Sequence, residues 1–310
     1  MKKVSIATGS IQTKYGDREA IRIAKEIGAD AIDFTLEDFR DRYDYRNPKS
    51  VYALPEKEII AYYTDLKNYA DELGIEICQT HGRGIGFLGK KEEDDALIKN
   101  ARIDCLVTKT LGAPVTVIHP VSTSWHLDAP DEYLRELNYD MFVRILPFAK
   151  EFGVQVAAET FGDINSGIKC ELFGYIDEFI AMYNRICEVE DYADWFKICV
   201  DTGHTNKATK YEGNPKPPQA IRMLGSNITC LHLNDNNSFN DQHLIPFTGK
   251  KCNQIPGTID WDDTLNALDE IGYDGVYNLE LDLNRYGNYM IVDTAEFAIK
   301  VMKNFLNNRK

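Results

Sequence analysis

Positive charge is in short supply in this chain: 35 lysines and arginines face 49 aspartates and glutamates over 310 residues, a formal net charge of −14. A surface that acidic repels phosphate backbones and no basic stripe offsets it locally, so nucleic acid is not expected as a partner. No apolar run approaches the length of a membrane span, and the opening MKKVSIATGS has too few apolar residues for a signal-peptide core. No membrane association and a cytoplasmic location are therefore expected. The seven cysteines (Cys78, Cys105, Cys170, Cys187, Cys199, Cys230 and Cys252) are scattered, odd in number and never spaced CxxC. They read as reduced thiols of a cytosolic protein, not as a disulfide frame or a zinc knuckle. The turn after the first apolar run, ATGSIQTKYGD, lacks GxGxxG, which counts against an open, doubly wound sheet. Linkers, low-complexity tracts and breaks in composition are also missing, so residues 1–310 read as one domain.

What the chain does have is alternation. Short β-branched runs are each followed by an amphipathic stretch: VSIAT (4–8), AIDFT (31–35), IEICQTH (75–81), PVTVIHP (114–120), VQVAAET (154–160), FKICVD (196–201), ITCLHLND (228–235) and GVYNLELD (275–282). Helical spacing follows them at 17–28, 55–74, 93–111, 131–152, 172–188, 217–224, 261–271 and 293–306. Near-continuous apolar strands covered by helices predict a parallel sheet, and eight such units predict closure into an α/β fold, a single (β/α)8 TIM barrel. Long loops after the strands, at 36–54, 120–130, 161–170, 202–216 and 235–260, put the chemistry at the C-terminal rim.

Histidines and acids fall at that rim. Five of the six histidines (His81, His119, His204, His232 and His243) end strands or follow them, and Glu159, Asp201 and Glu280 reach equivalent depth. A lone histidine in an apolar strand is ordinarily a satisfied core residue, and a lone glutamate at a strand end a rim ion pair. Glu159, Asp201, His232 and Glu280 together are another matter, because buried carboxylates without a counter-charge cost several kcal/mol. Three carboxylates and one imidazole suit one divalent metal ion: Mn, Co or Mg, with Zn also compatible.

The segments AETFG (158–162), VDTGHTN (200–206), CLHLNDNN (230–237), DQHLIPFTG (241–249), IPGTIDW (255–261) and LELD (279–282) resemble the successive motifs of the xylose isomerase-like barrel superfamily. That group includes sugar isomerases and epimerases and endonuclease IV, and the likeness runs over essentially the full length. In the epimerase branch the resemblance implies that Glu159, Asp201, His232 and Glu280 hold one metal. It also implies that Glu159 and Glu280 act as catalytic acid and base, and that His204 contacts substrate. His81, His119, His204, Asp241 and His243 match the ligands endonuclease IV uses for further zinc ions, so they read as substrate-binding or additional metal residues.

Two departures stand out. Asn237 and Ser238 occupy the region where ketose epimerases carry a substrate-binding arginine, and the family's PGxG turn is PFTG here, with KKCNQ (250–254) inserted before IPGTIDW.

The implied reaction is proton transfer beside a carbonyl of a ketose or cyclic polyol, through a metal-stabilised enediolate, with one carboxylate on each face of the substrate. Trp125 and Phe161 are expected to line the pocket, Tyr43 and Tyr45 to cover it, and Asn234 and Asp235 to orient the His232 imidazole. The partner is a small-molecule carbohydrate; a homo-oligomer or a small partner subunit is left open. Three rivals remain: an endonuclease IV-like trinuclear zinc phosphodiesterase, the catalytic subunit of a C-glycoside deglycosidase, and a metal-dependent sugar-binding protein without turnover.

Overall fold

The structure, a computed structural model, describes residues 2–36, 43–163, 169–189, 191–247 and 258–309. Cys252, the KKCNQ stretch and the remaining parts of the long loops lie outside the described residues. Eight strands, β1 (Val4–Ala7), β2 (Ala31–Thr35), β3 (Glu76–His81), β4 (Val115–Ile118), β5 (Gln155–Glu159), β6 (Phe196–Asp201), β7 (Ile228–His232) and β8 (Tyr277–Leu279), pair in parallel in the order β7-β6-β5-β4-β3-β2-β1-β8. The ends of that order meet: Leu233 N donates to Asn278 O at 2.8 Å and Glu280 N to Leu233 O at 3.2 Å. The sheet is a (β/α)8 barrel.

Helices at Asp17–Glu26, Glu56–Leu73, Lys91–Leu111, Asp131–Phe152, Ile176–Cys187, Pro217–Leu224, Trp261–Glu270 and Ile291–Asn308 sit within a few residues of the predicted spans. Two short helices, Gly9–Tyr15 and Thr202–Ala208, were not predicted. Seven residues are too few to display a period, and Thr202–Ala208 is buried throughout, so no polar face marks it. No helix of the described residues is long and apolar enough to cross a membrane.

Strand alternation divides the core into a shell and a lumen. Val156, Ala158, Ile198, Val200 and Leu231 face outward into the main apolar cluster beneath the helices, where Phe142, Phe173, Phe179 and Phe196 stack at centroid separations of 4.4–6.1 Å. Val115, Val117, Ala157, Cys199 and Cys230 form a separate small plug inside the barrel. Side chains of a strand repeat their face every second residue. The positions two beyond the plug on β5, β6 and β7 are therefore Glu159, Asp201 and His232, all fully buried. On the opposite wall the lumen is polar, with Ser5, Asp33, Gln79 and Asn278 buried in place of aliphatic side chains.

One buried ion pair ties the rim loops together. Arg83 Nε lies 2.6 Å from Asp104 Oδ2, Tyr52 Oη donates to Asp104 Oδ1 at 2.6 Å, and the Arg83 guanidinium also donates to the carbonyls of Leu36 and Tyr43. Burial pushes the Asp104 carboxyl up even against this guanidinium, so removing Arg83 leaves a carboxylate without compensation. We expect Arg83→Met to cost about 3–5 kcal/mol in urea unfolding, and Arg83→Met with Asp104→Leu to recover much of it. A single variant as stable as the wild type would show the pair to be dispensable.

Candidate metal centre

Each strand end delivers its side chain by the same period, but the rim loops need more local explanation. Asp201 is the N-cap of Thr202–Ala208: its carboxylate accepts the backbone N–H of His204, three residues on, and so places that imidazole beside the strand end. Gly203 in this turn is obligatory, since a Cβ there would sit 1.9 Å from Asn234 Oδ1. The loop after β7 folds back through an antiparallel bridge, Asp235 to Leu244, returning Asp241 and His243 over the strand ends. His243 adopts φ 43°, a left-handed conformation that is uncommon for a non-glycine residue and that clusters at functional sites.

The structure brings Glu159, Asp201, His232 and Glu280 together. A carboxylate oxygen from each of Glu159, Asp201 and Glu280 and a ring nitrogen of His232 lie within 4.8 Å of one another. His232 Nδ1 is 3.3 Å from Glu159 Oε2 and 3.2 Å from Glu280 Oε2. Neither oxygen of Glu159, neither nitrogen of His232 nor Glu280 Oε2 receives a well-aligned hydrogen bond from the described residues. Buried polar groups are almost always satisfied, so this knot of donor atoms calls for a cation between them. The donor set fits a divalent metal. Exposure is graded: Glu159, Asp201 and His232 are closed off, while the Glu280 side chain is 19% and the Asp241 side chain 36% accessible, so the centre opens toward solvent on that side.

Five further groups surround this centre. His81 Nε2 and His119 Nε2 lie 3.6 and 3.2 Å from Glu159 Oε2, and His204 Nε2 and His243 Nε2 lie 3.2 and 3.6 Å from Asp241 Oδ2. Two more ligand groups result, His81–His119–Glu159 and His204–Asp241–His243. Main-chain carbonyls fix three of the rings: Nδ1 of His119, His204 and His243 faces Gly84 O, Thr160 O and Glu280 O at 2.9–3.2 Å. A carbonyl can only accept, so Nδ1 carries a proton, and Nε2, which faces the carboxylates, is the nitrogen left for an ion once any proton on it is displaced. Phe161, 3% exposed, wedges its ring between His119 and His204, 4.8 Å from each.

Trp125 ends a short 3-10 turn and is 61% exposed. Tyr43 is buried, its ring against Tyr52 and its hydroxyl beside Gln12, and Tyr45 carries Lys99 over its ring. Asn234 and Asp235 do not orient His232. Asn234 Nδ2 donates to Asp201 Oδ2 at 2.7 Å, and Asp235 accepts the Trp261 indole and the main-chain N–H groups of Asn236, Thr258 and Ile259. The group facing His232 is Asp33 of β2, whose Oδ2 lies 3.2 Å from His232 Nε2. An acid at the middle of AIDFT looks like one polar residue of an alternating strand, so the sequence alone does not mark it.

Charge in this cluster is mutual. Burial pushes the Glu159 carboxyl up, but His232, His119 and His204 outweigh that and hold it well below the usual carboxylate range. Burial likewise opposes ionisation of Glu280, and His232 and His243 reverse it. For His204 and His232 burial favours the neutral ring, but the surrounding acids hold both well above the ordinary imidazole value; Asp241 does the same to His243, raising it to about 10. Asp201 is the exception: burial, reinforced by Glu159 and Glu280, raises it to about 7. Metal-free, the site is thus balanced by protonated imidazoles, and a divalent ion must displace those protons.

Metal affinity is therefore expected to rise with pH, because Asp201 becomes a carboxylate only as pH climbs through about 7 and the histidines must be neutral to ligate. Titration of stripped protein with Mn²⁺ or Zn²⁺ between about pH 6 and pH 8 should show proton release and an affinity gain of about tenfold per unit for each proton displaced, so about tenfold above pH 7 from His232 and approaching about a hundredfold at the acid end where Asp201 adds its own. At an ion concentration of about 100 Kd, binding should stabilise the fold by about 2.7 kcal/mol, and His232→Ala should lose that increment. Affinity independent of pH would contradict the charge balance.

Solved structures share this fold. The structure of a D-tagatose 3-epimerase-like protein superposes with a TM-score of 0.72 at 20% identity, over 98% of this chain and 97% of that one. The IOLI protein, solved with a bound zinc atom, gives 0.71 at 19% identity over 97% and 95%. The uncharacterized protein y4fM of Sinorhizobium fredii is 26% identical over 192 residues, 61% of this chain and 53% of that one, so the chain spans about half the length of this curated relative. A family model matches residues 21–304, and the chain belongs to the xylose isomerase-like TIM barrel family.

Proposed function

We propose that the protein is a divalent-metal-dependent isomerase or epimerase of a ketose or cyclic polyol, working by proton transfer next to a carbonyl. The observation that carries this reading is the convergence of Glu159 and Glu280, from β5 and the end of β8, on the unsatisfied Nδ1 of His232. Binding alone needs no such pair; moving a proton off carbon and returning it does. A divalent ion held by Glu159, Asp201, His232 and Glu280 supplies fixed positive charge for the oxygens that become negative in the enediolate. Glu280, the more accessible of the two glutamates, meets substrate from the solvent side, and Glu159 from below. Both are held ionised in the metal-free chain by neighbouring imidazoles, the protonation state a base needs. His204 and His243, at the open edge, hold substrate hydroxyls, and Phe161 keeps water out between the histidines. No described lysine or arginine reaches the centre, which favours a substrate without phosphate.

One observation supports a second reading. The two outer ligand groups, with Nε2 atoms turned toward carboxylates, would hold two more ions, the arrangement of a trinuclear zinc phosphodiesterase. The net charge of −14 weighs against DNA as its substrate.

Metal-loaded enzyme should be screened on ketoses, inosose-like rings and 3-keto-glycosides in D2O. Deuterium should enter the substrate at the carbon beside the carbonyl, and Glu159→Gln and Glu280→Gln should each lower turnover by about 10²–10⁴-fold. Activity retained in both variants removes the two-carboxylate mechanism. Three zinc ions per chain together with cleavage of abasic DNA would establish the second reading instead.

A further inference from the structure

The polar wall of the lumen has a single end point. Ser5 Oγ donates to Asn278 Oδ1 at 2.8 Å, which turns the Asn278 amide so that Nδ2 donates to Asp33 Oδ2 at 3.0 Å. Gln79 Nε2 donates to the same oxygen at 3.0 Å, and that oxygen is the one 3.2 Å from His232 Nε2. All five residues are buried, Asp33 and His232 completely. A strut between β2, β3 and β8 needs no acid: the two amides would serve as well around an amide or hydroxyl side chain, so a carboxyl group buried in the lumen points to a specific partner. His232 is the partner within reach, and its other nitrogen, Nδ1, faces Glu159 and Glu280.

We infer that Asp33 is the positioning residue of the candidate metal centre: fixed by Asn278 and Gln79 with its Oδ2 3.2 Å from His232 Nε2, it selects the Nε2–H tautomer, the ring turning to align that hydrogen bond when an ion takes the Nδ1 lone pair. The inference rests on the metal-centre reading given above. An imidazole whose remote N–H meets a carboxylate is the more basic ligand, and its ring cannot turn over without breaking that contact. The ring of His81, stacked on His232 at 5.1 Å with 13° between planes, closes the other route of rotation. The direction differs from His119, His204 and His243, where Nδ1 faces a main-chain carbonyl (in His204 also Glu159 Oε1, at 3.0 Å) and Nε2 faces the carboxylate of Glu159 or Asp241. His232 instead turns Nδ1 to the central carboxylates and Nε2 to Asp33, and it sits in the deepest ligand set.

The test is a double-mutant cycle on metal affinity, read by competition with a chromophoric chelator and using Zn²⁺ alone as the probe. Asp33→Asn should weaken Zn²⁺ binding by about 10–100-fold. In a His232→Gln background the same substitution should change affinity by less than about threefold, because its effect passes through the imidazole. A long-range ¹H–¹⁵N spectrum of the zinc-loaded wild type should show His232 protonated at Nε2. Equal affinity in Asp33→Asn and wild type, or a loss undiminished without His232, overturns the role of Asp33 while leaving the metal centre intact. Failure of the wild-type chain to bind Zn²⁺ or Mn²⁺ overturns the metal centre itself, and this inference with it.

Discussion

Charge concentrated where water is scarce is the constraint on which this molecule is built. Glu159, Asp201, His232 and Asp33 are fully buried, and Glu280, Asp241 and four more histidines stand around them. An isolated buried carboxylate would simply take up a proton. Here the acids and imidazoles hold one another charged, and Asp201, between two other carboxylates, is the member that gives way. Such a knot is tolerated only because the barrel around it is rigid and the apolar shell under the helices is large enough to carry the cost.

Rigidity and placement come from one geometric rule. Because lumen-facing side chains recur every second residue, the layer above the apolar plug is set once the plug is set, and the parallel register that pairs Asp201 with His232 fixes neighbours to the same height. The lumen is lopsided as a result. From β4 to β7 its floor is aliphatic and thiol; from β8 through β3 it is amide, hydroxyl and carboxylate. The aliphatic side supports the ligands by packing, the polar side by hydrogen bonds.

Most of this was legible in the chain. The apolar runs located all eight strands, and the ends of FKICVD and ITCLHLND placed Asp201 and His232 where the structure has them. What escaped was of two kinds. Helices of seven residues show no period, so Gly9–Tyr15 and Thr202–Ala208 were lost in loops, although D-T-G-H does carry an N-cap in plain sight. Partners drawn from distant strands left no local trace: Asp33, Gln79 and Asn278 are far apart in sequence and meet only because β2 lies between β3 and β1, with β8 beyond. Proximity in sequence suggests Asn234 and Asp235 as supports for His232, but both lie beyond the end of β7, where the chain turns, and their side chains serve Asp201 and the next turn instead.

Asp201 does double duty, and that has a mechanical meaning. The carboxylate that faces the candidate ion is also the one that secures the first turn of Thr202–Ala208, a helix carrying His204, Asn206 and the buried Lys207. Whatever draws on one oxygen of that group alters the grip of the other on the turn. Occupancy of the strand-end site would thereby be geared to the posture of a rim element, with a single side chain as the linkage and no strand required to slide.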